Sequence, residues 1–248
     1  MQCKVRHAIL RPHLRPADMG LSIFSNVQIQ ADRNLGNPAL RVWPSAIILA
    51  EYLASTKKAL QARRILELGA GTGYVGICAA TRGSHVVITD TDPASIELMM
   101  RNKSINQKLI DDAGGSLEVR PLTWGVDQEE VLAEFPAFDM VVGSDITYAT
   151  ELKVFDALCD VLEHSSCHHQ DWSCLLTYAG RDAVVFPWAY PSLPPQSDWK
   201  IPSSPFAEHA MMNRGFDARV SELVIGIDSS FEERTAEDEI FTMELTRK

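Results

Sequence analysis

The stretch ILELGAGTGYVG, Ile65 to Gly76, sets a carboxylate and four glycines at the end of an apolar run. Glycine lets a backbone turn sharply and approach a ligand closely, and the same residues can be read in two registers that imply different ligands. Gly71, Gly73 and Gly76 spell G-x-G-x-x-G, which lays a dinucleotide pyrophosphate on a helix N-terminus. Gly69, Gly71 and Gly73, preceded by Glu67, spell E-x-G-x-G-x-G. If Gly71 opened the turn, Glu67 would lie two residues deeper in the sheet, where an unpaired carboxylate is costly. Opening it at Gly69 ends the strand at Leu68 and sets Glu67 at the carboxyl edge, facing the ligand crevice. Tyr74 then stands where a third glycine would be, so pyrophosphate gains no special fit. A carboxylate there suits a cationic ligand, such as the amine or sulfonium of S-adenosylmethionine, and this second register is preferred.

Asp90 closes the next apolar run, about 20 residues past the turn, where an acid binds ribose hydroxyls. That position serves a nicotinamide dinucleotide and S-adenosylmethionine alike. The rival reading of Asp90 is a loop or capping acid, but in TDTDP Asp92 is the better cap, with Pro93 at the first helical position.

The elements that must hold these residues alternate. ARRILEL, SHVVITD, SLEVRPLTW, FDMVVGSD and WSCLLTYAG read as buried strands. GYVGICAATRG, DPASIELMMRNKSINQ and ATELKVFDALCDVLEH read as the helices between them. In the tail, FAEHAMMNRGF reads as a helix before strands DARVSELVIGID and DEIFTMELTR, which a short polar link should pair antiparallel. The fold class is therefore α/β: a Rossmann-like, mostly parallel seven-stranded sheet with its last strand antiparallel and helices on both faces. An N-terminal β/α extension precedes it. LSIFSNVQIQAD alternates like a half-exposed strand, and VWPSAIILAEYLAS has apolar Ile47, Ile48, Tyr52 and Leu53 for an amphipathic helix. Residues 1–40 are expected to form an arm and strand on the core, and 41–248 the main domain. Six prolines between Pro187 and Pro205 rule out regular structure there and mark a lid or surface loop.

Composition narrows the classes. A chain of 248 residues, 46% hydrophobic, buries one substantial core, and a net charge of −10 argues against nonspecific nucleic-acid binding. No apolar run approaches the ~20 residues of a membrane span. Cys3, Cys78, Cys159, Cys167 and Cys174 make an odd count of thiols, as in a reducing compartment. Three of them lie near His164, His168 and His169, but without the paired spacing of a zinc site. A helix end and polar connector is the preferred reading, and no metal is assigned.

Taken together, VWPSAIILAEYL, ELGAGTGYVG, VVITD, LTWG and SDITY resemble the family-16 methyltransferases, the seven-strand protein lysine methyltransferases, from about residue 25 to the C-terminus. The resemblance implies S-adenosylmethionine as cofactor, with contacts at Trp43, Gly69, Ala70, Gly71, Asp90, Trp124 and Ser144 beside the Glu67 read above. It implies that Asp145 and Tyr148, a D-x-x-Y pair, are catalytic. A lysine ammonium must lose a proton before it attacks a methyl group. Asp145 would orient the amine, and Tyr148 would wall the channel and meet the cation with its ring face. On spacing alone, Asp145 capping a helix and Tyr148 packing in it is an equal reading. Tyr178 and Arg181 of TYAGR are further substrate-side candidates.

The expected function is therefore transfer of a methyl group to a lysine of a protein partner, by a cytoplasmic monomer, with the nucleus as an alternative location, that binds neither nucleic acid nor membrane. The nearest alternative is an arginine acceptor, with Asp145 and Glu151 holding the guanidinium. An NAD(P)-dependent oxidoreductase using Gly71, Gly73 and Gly76, or a non-catalytic adaptor, are more distant readings.

Overall fold

β-Branched and leucine runs with two apolar faces demand cover on both sides, and the chain supplies it. The computed structural model describes residues 24, 26–31, 37–55, 60–147, 151–166, 172–179, 206, 209–210, 213–222 and 240–247. Its strands are β1 (Arg64–Glu67), β2 (His85–Asp90), β3 (Ser116–Pro121), β4 (Met140–Ser144), β5 (Ser173–Ala179), β6 (Phe216–Glu222) and β7 (Ile240–Arg247). The helices are α1 (Pro44–Ser55), α2 (Tyr74–Ala80), α3 (Pro93–Asp112), α4 (Gln128–Ala133) and α5 (Leu152–Ser166).

The strands form one sheet in the order β3-β2-β1-β4-β5-β7-β6. β1 to β5 run parallel, while β7 is antiparallel to both of its neighbours. Strand order reverses between β1 and β4, and the crevice outside their carboxyl ends is where such a sheet binds ligands. Alternate residues serve the two faces. Ile65, Val86 and Val142 join Leu49, Leu53, Ile77 and Met99 on one side. Leu66, Val87 and Val141 join Phe155, Leu158 and Leu162 on the other. α3 starts as expected, with the Asp92 side chain accepting the Ala94 N–H and Pro93 in the first turn.

Four local readings are corrected. Residues 27–31 form no strand. The backbone there is extended, but its partners are side chains: Asn102 Oδ1 accepts the Gln30 N–H at 2.8 Å and Asn102 Nδ2 donates to the Gln30 carbonyl at 3.0 Å. Asn106 does the same for Gln28, at 3.0 and 2.7 Å. α1 buries Ser45, Ala46, Leu49, Ala50, Leu53 and Ala54, leaving Ile47 40% exposed, because the small residues let the helix lie close to its neighbours. β3 ends at Pro121, so Leu122, Thr123 and Trp124 leave the sheet. The short helix α4 follows, its start marked by Asp127, whose side chain accepts the Thr123 N–H at 2.7 Å.

Cys159 and Cys174 are buried in the core. Among the described residues no three His, Cys, Asp or Glu side chains come together as a metal site, and no helix is long and apolar enough to cross a membrane. Cys167, His168, His169 and the proline-rich stretch lie outside the described residues.

Candidate functional site

The glycine turn opens directly after β1. Gly69, Gly71 and Gly73 have φ of 58°, 54° and 75°, the left-handed region that favours glycine. Gly76 instead sits inside α2, where a Cβ would press on Ile88 and come within 2.6 Å of Glu67 Oε2. The structural turn is thus the Gly69–Gly73 register, and Gly76 serves close packing of helix on strand. A Cβ on Gly69 would lie 2.7 Å from Ile146 Cγ2 and 3.8 Å from Trp124 Cζ2; one on Gly71 would overlap the Ala39 carbonyl oxygen. These close approaches make a bare-backbone cradle walled by Trp124, Ile146 and the 3-10 turn Pro38–Leu40.

Hydrogen bonds fix that cradle. Ala70 N–H donates to the Thr89 carbonyl at 2.9 Å, and Gly71 N–H to Asp90 Oδ2 at 2.9 Å. Asn102, besides clasping residue 30, donates to the Thr72 carbonyl at 2.9 Å. The 3-10 turn is held by Asn37, whose amide donates to Asp92 Oδ2 at 2.9 Å. Half-buried Trp43 donates its indole N–H to the Pro38 carbonyl at 3.0 Å, with Arg41 over its ring. Trp43 thus braces the turn that covers Gly71.

The expectation that Glu67 faces an open crevice is corrected. Its side chain is buried beneath the loop, where Oε2 accepts the Gly76 N–H at 2.7 Å. Burial pushes its pKa up to about 8; the Gly76 hydrogen bond opposes that rise and the charge of Asp90 adds to it. Glu67 therefore acts on the cradle from below.

On the neighbouring strand, half-buried Ser144 ends β4 opposite Thr177 of β5. Asp145 follows with φ of 52°, a left-handed conformation unusual for a non-glycine residue. It is 8% exposed, its N–H donates to the Thr177 carbonyl at 2.7 Å, and its Oδ2 accepts the hydroxyl of Ser45. β1 and β4 are parallel neighbours, so Asp145 and the glycine cradle stand on the same sheet edge. Tyr148 and Arg181 lie outside the described residues. Tyr178 is corrected from mouth to core: it is buried in the cluster with Phe155 and Phe206.

Sequence reasoning missed Ser45, Thr177, Asn102 and the Asn37–Leu40 segment. Asn102 and Asn106 carried a signal, since they fall one turn apart on the stripe that also holds Leu98, Met99 and Ile110, all buried.

This strand order with a glycine cradle at the switch point defines the seven-strand methyltransferase fold. It is similar to a putative O-methyltransferase from Klebsiella pneumoniae, with a TM-score of 0.53, 19% identity and coverage of 86% of this chain and 84% of that one. It is also similar to the O-methyltransferase from Bacillus cereus solved with SAH, with a TM-score of 0.52, 18% identity and coverage of 85% and 84%. The chain belongs to the lysine methyltransferase family, whose sequence pattern matches residues 24–184 and so stops short of the C-terminus. Among curated relatives, Protein N-lysine methyltransferase METTL21A of Danio rerio is 39% identical over 64% of this chain and 69% of its own length. EEF1A lysine methyltransferase 3 of Mus musculus is 36% identical over 57% of this chain and 58% of its own length. Histone-arginine methyltransferase METTL23 of Xenopus laevis is 36% identical over 43% and 44%.

Proposed function

We propose that this chain is an S-adenosylmethionine-dependent protein N-methyltransferase acting on a lysine side chain. One observation carries the reading: Asp145, buried and left-handed, shares a sheet edge with a glycine cradle that has no room for side chains. The cradle fits the cofactor, since the left-handed Gly69 and Gly71 on either side of the small Ala70 let the backbone approach a ligand closely, and Asp90 offers a carboxylate at the end of β2. Trp124 and Ser144 complete the pocket wall, and Trp43 acts through the turn over Gly71. When bound, S-adenosylmethionine supplies a methyl group already activated on a sulfonium.

The residues of the chain then have little chemistry to perform beyond placement. Asp145 accepts a hydrogen bond from the lysine nitrogen and aims its lone pair, after the ammonium has given up its proton. The family resemblance gives Tyr148 the role of contacting the lysine cation. Ile146 and Trp124, packed on Gly69, exclude water from the cradle. Lysine is favoured over arginine because a guanidinium stays charged and needs carboxylates on both sides. One oxygen of Asp145 is engaged by Ser45, and Glu151 is ion-paired with Lys153 at 2.6 Å, largely exposed.

The whole reading treats 41–248 as the catalytic domain with 1–40 as its arm, working as a monomer on a protein partner in a reducing compartment, cytosol or nucleus. The buried free thiols Cys78, Cys159 and Cys174 support that compartment. The test is incubation of the pure protein with methyl-labelled S-adenosylmethionine and an RNase-treated lysate, beside Asp145→Ala. A labelled protein band that yields methyllysine on hydrolysis and disappears in the variant is expected. Methylarginine in the hydrolysate would reassign the acceptor, and an unlabelled lysate would overturn the transferase reading.

A further inference from the structure

Ser45 is an odd residue for its position. It lies in the first turn of α1, is fully buried, and has apolar or small neighbours along the buried helix face. A buried hydroxyl needs a partner, and this one donates to Asp145 Oδ2, a hundred residues away in sequence. The Ser45 carbonyl in turn accepts the Thr177 hydroxyl at 3.1 Å, and the Thr177 carbonyl accepts the Asp145 N–H at 2.7 Å. Ser45, Asp145 and Thr177 therefore close a ring of three hydrogen bonds in which every member is at most 8% exposed. The ring joins α1, the end of β4 and β5.

Two features give the ring a purpose. Asp145 is held in a left-handed backbone conformation, which costs a non-glycine residue free energy and persists only when its surroundings impose it. Asp145 N–H to Thr177 imposes it on the backbone, and Ser45 fixes the side chain. The ring also reaches the cofactor side, because α1 begins directly after Trp43, which braces the turn over Gly71.

We infer that Ser45 and Thr177 are positioning residues for methyl transfer, orienting the Asp145 carboxylate toward the incoming lysine nitrogen. Ser45 holds one carboxylate oxygen and sets the plane of the group; Thr177 holds Ser45 through its carbonyl. A misaimed lone pair slows an in-line attack steeply even when both reactants are bound. The inference rests on the catalytic assignment of Asp145 made above, and the experiment keeps the two separable.

Wild type, Asp145→Ala, Ser45→Ala, Thr177→Val and Thr177→Ser are compared in the same labelling assay. Initial rates are taken at saturating S-adenosylmethionine, with cofactor affinity measured by calorimetry and fold by thermal midpoint. Thr177→Val keeps the side-chain shape and removes only the hydroxyl, so it stands in if Ser45→Ala folds poorly. Ser45→Ala should slow labelling at least about tenfold, the scale of a lost hydrogen bond to a charged group. Thr177→Val should slow it in the same direction, Thr177→Ser should restore it, and cofactor affinity should stay within about threefold of wild type, a pattern that general loosening would not produce. Wild-type rates in Ser45→Ala and Thr177→Val, with Asp145→Ala inactive, would overturn the inference and leave the function standing. So would a loss of rate matched by an equal loss of cofactor affinity. Labelling by Asp145→Ala at the wild-type rate would remove the assignment on which the inference depends, and a silent wild type would remove the function itself.

Discussion

Asp90 Oδ2 accepts the Gly71 N–H at 2.9 Å while Asp90 Oδ1 accepts the Asp92 N–H at 3.0 Å. The last residue of β2 thus ties the middle glycine of the cradle to the start of α3. Asp90→Ala should remove both the loop anchor and the carboxylate offered to ribose hydroxyls. Calorimetry should show S-adenosylmethionine binding weakened about tenfold to hundredfold, the range for hydrogen bonds to a charged group. Unchanged affinity would mean that the nucleoside is held elsewhere.

Gly71 and Gly114 share left-handed backbones, with φ of 54° and 71°, but not surroundings. Gly114→Ala meets nothing within 4 Å and should cost only the conformational penalty, roughly 1–2 kcal/mol. Gly71→Ala carries the same penalty and also drives a methyl group into the Ala39 backbone. Urea unfolding should find Gly71→Ala the less stable of the two, and only Gly71→Ala should lose cofactor affinity.

Glu67 makes stability depend on pH in a definite direction. Its folded pKa, about 8, lies above the ordinary value of 4.5. Between those values the folded chain holds a proton that the unfolded chain has lost, so stability falls as pH rises from 4.5 to 8 and levels off beyond. Glu67→Gln keeps an acceptor for the Gly76 N–H and removes the ionisation. Its stability relative to wild type, from denaturant midpoints at pH 5 and pH 8.5, should therefore rise with pH. Parallel curves would show that Glu67 titrates normally.

Asn102 joins the N-terminal extended segment to the glycine turn, through Gln30 on one side and the Thr72 carbonyl on the other. Asn102→Ala leaves the buried Thr72 carbonyl and the part-buried Gln30 backbone groups without that partner and should destabilise the protein by roughly 1–3 kcal/mol. Limited proteolysis should also cut faster near residues 27–31. Unchanged cleavage would mean that Asn106 alone secures the segment.

Much of this architecture is legible locally. The strand-forming runs, the Asp92-Pro93 helix start, the antiparallel final pair and the turn opening at Gly69 all follow from short-range periodicity and backbone sterics. Residues 27–31 mislead for a physical reason: alternation signals an extended chain, and asparagine side chains satisfy an extended backbone as well as a neighbouring strand does. α1 misleads because its small residues, and not its large ones, set how closely it packs.

By itself, the sequence determined the alternation of elements, the glycine register and the acids at the strand ends, since each depends on residues within a turn or two of one another. Only the tertiary structure decided what those acids do. Glu67 turned out to be a buried group beneath the cradle, because the packing of α2 closes over it. Asp145 acquired Ser45 and Thr177 as partners because sheet order brings β5 beside β4 and α1 packs against both. Hydrogen bonds between residues a hundred or more positions apart leave no periodic trace in a chain; they exist only once the strands are in order.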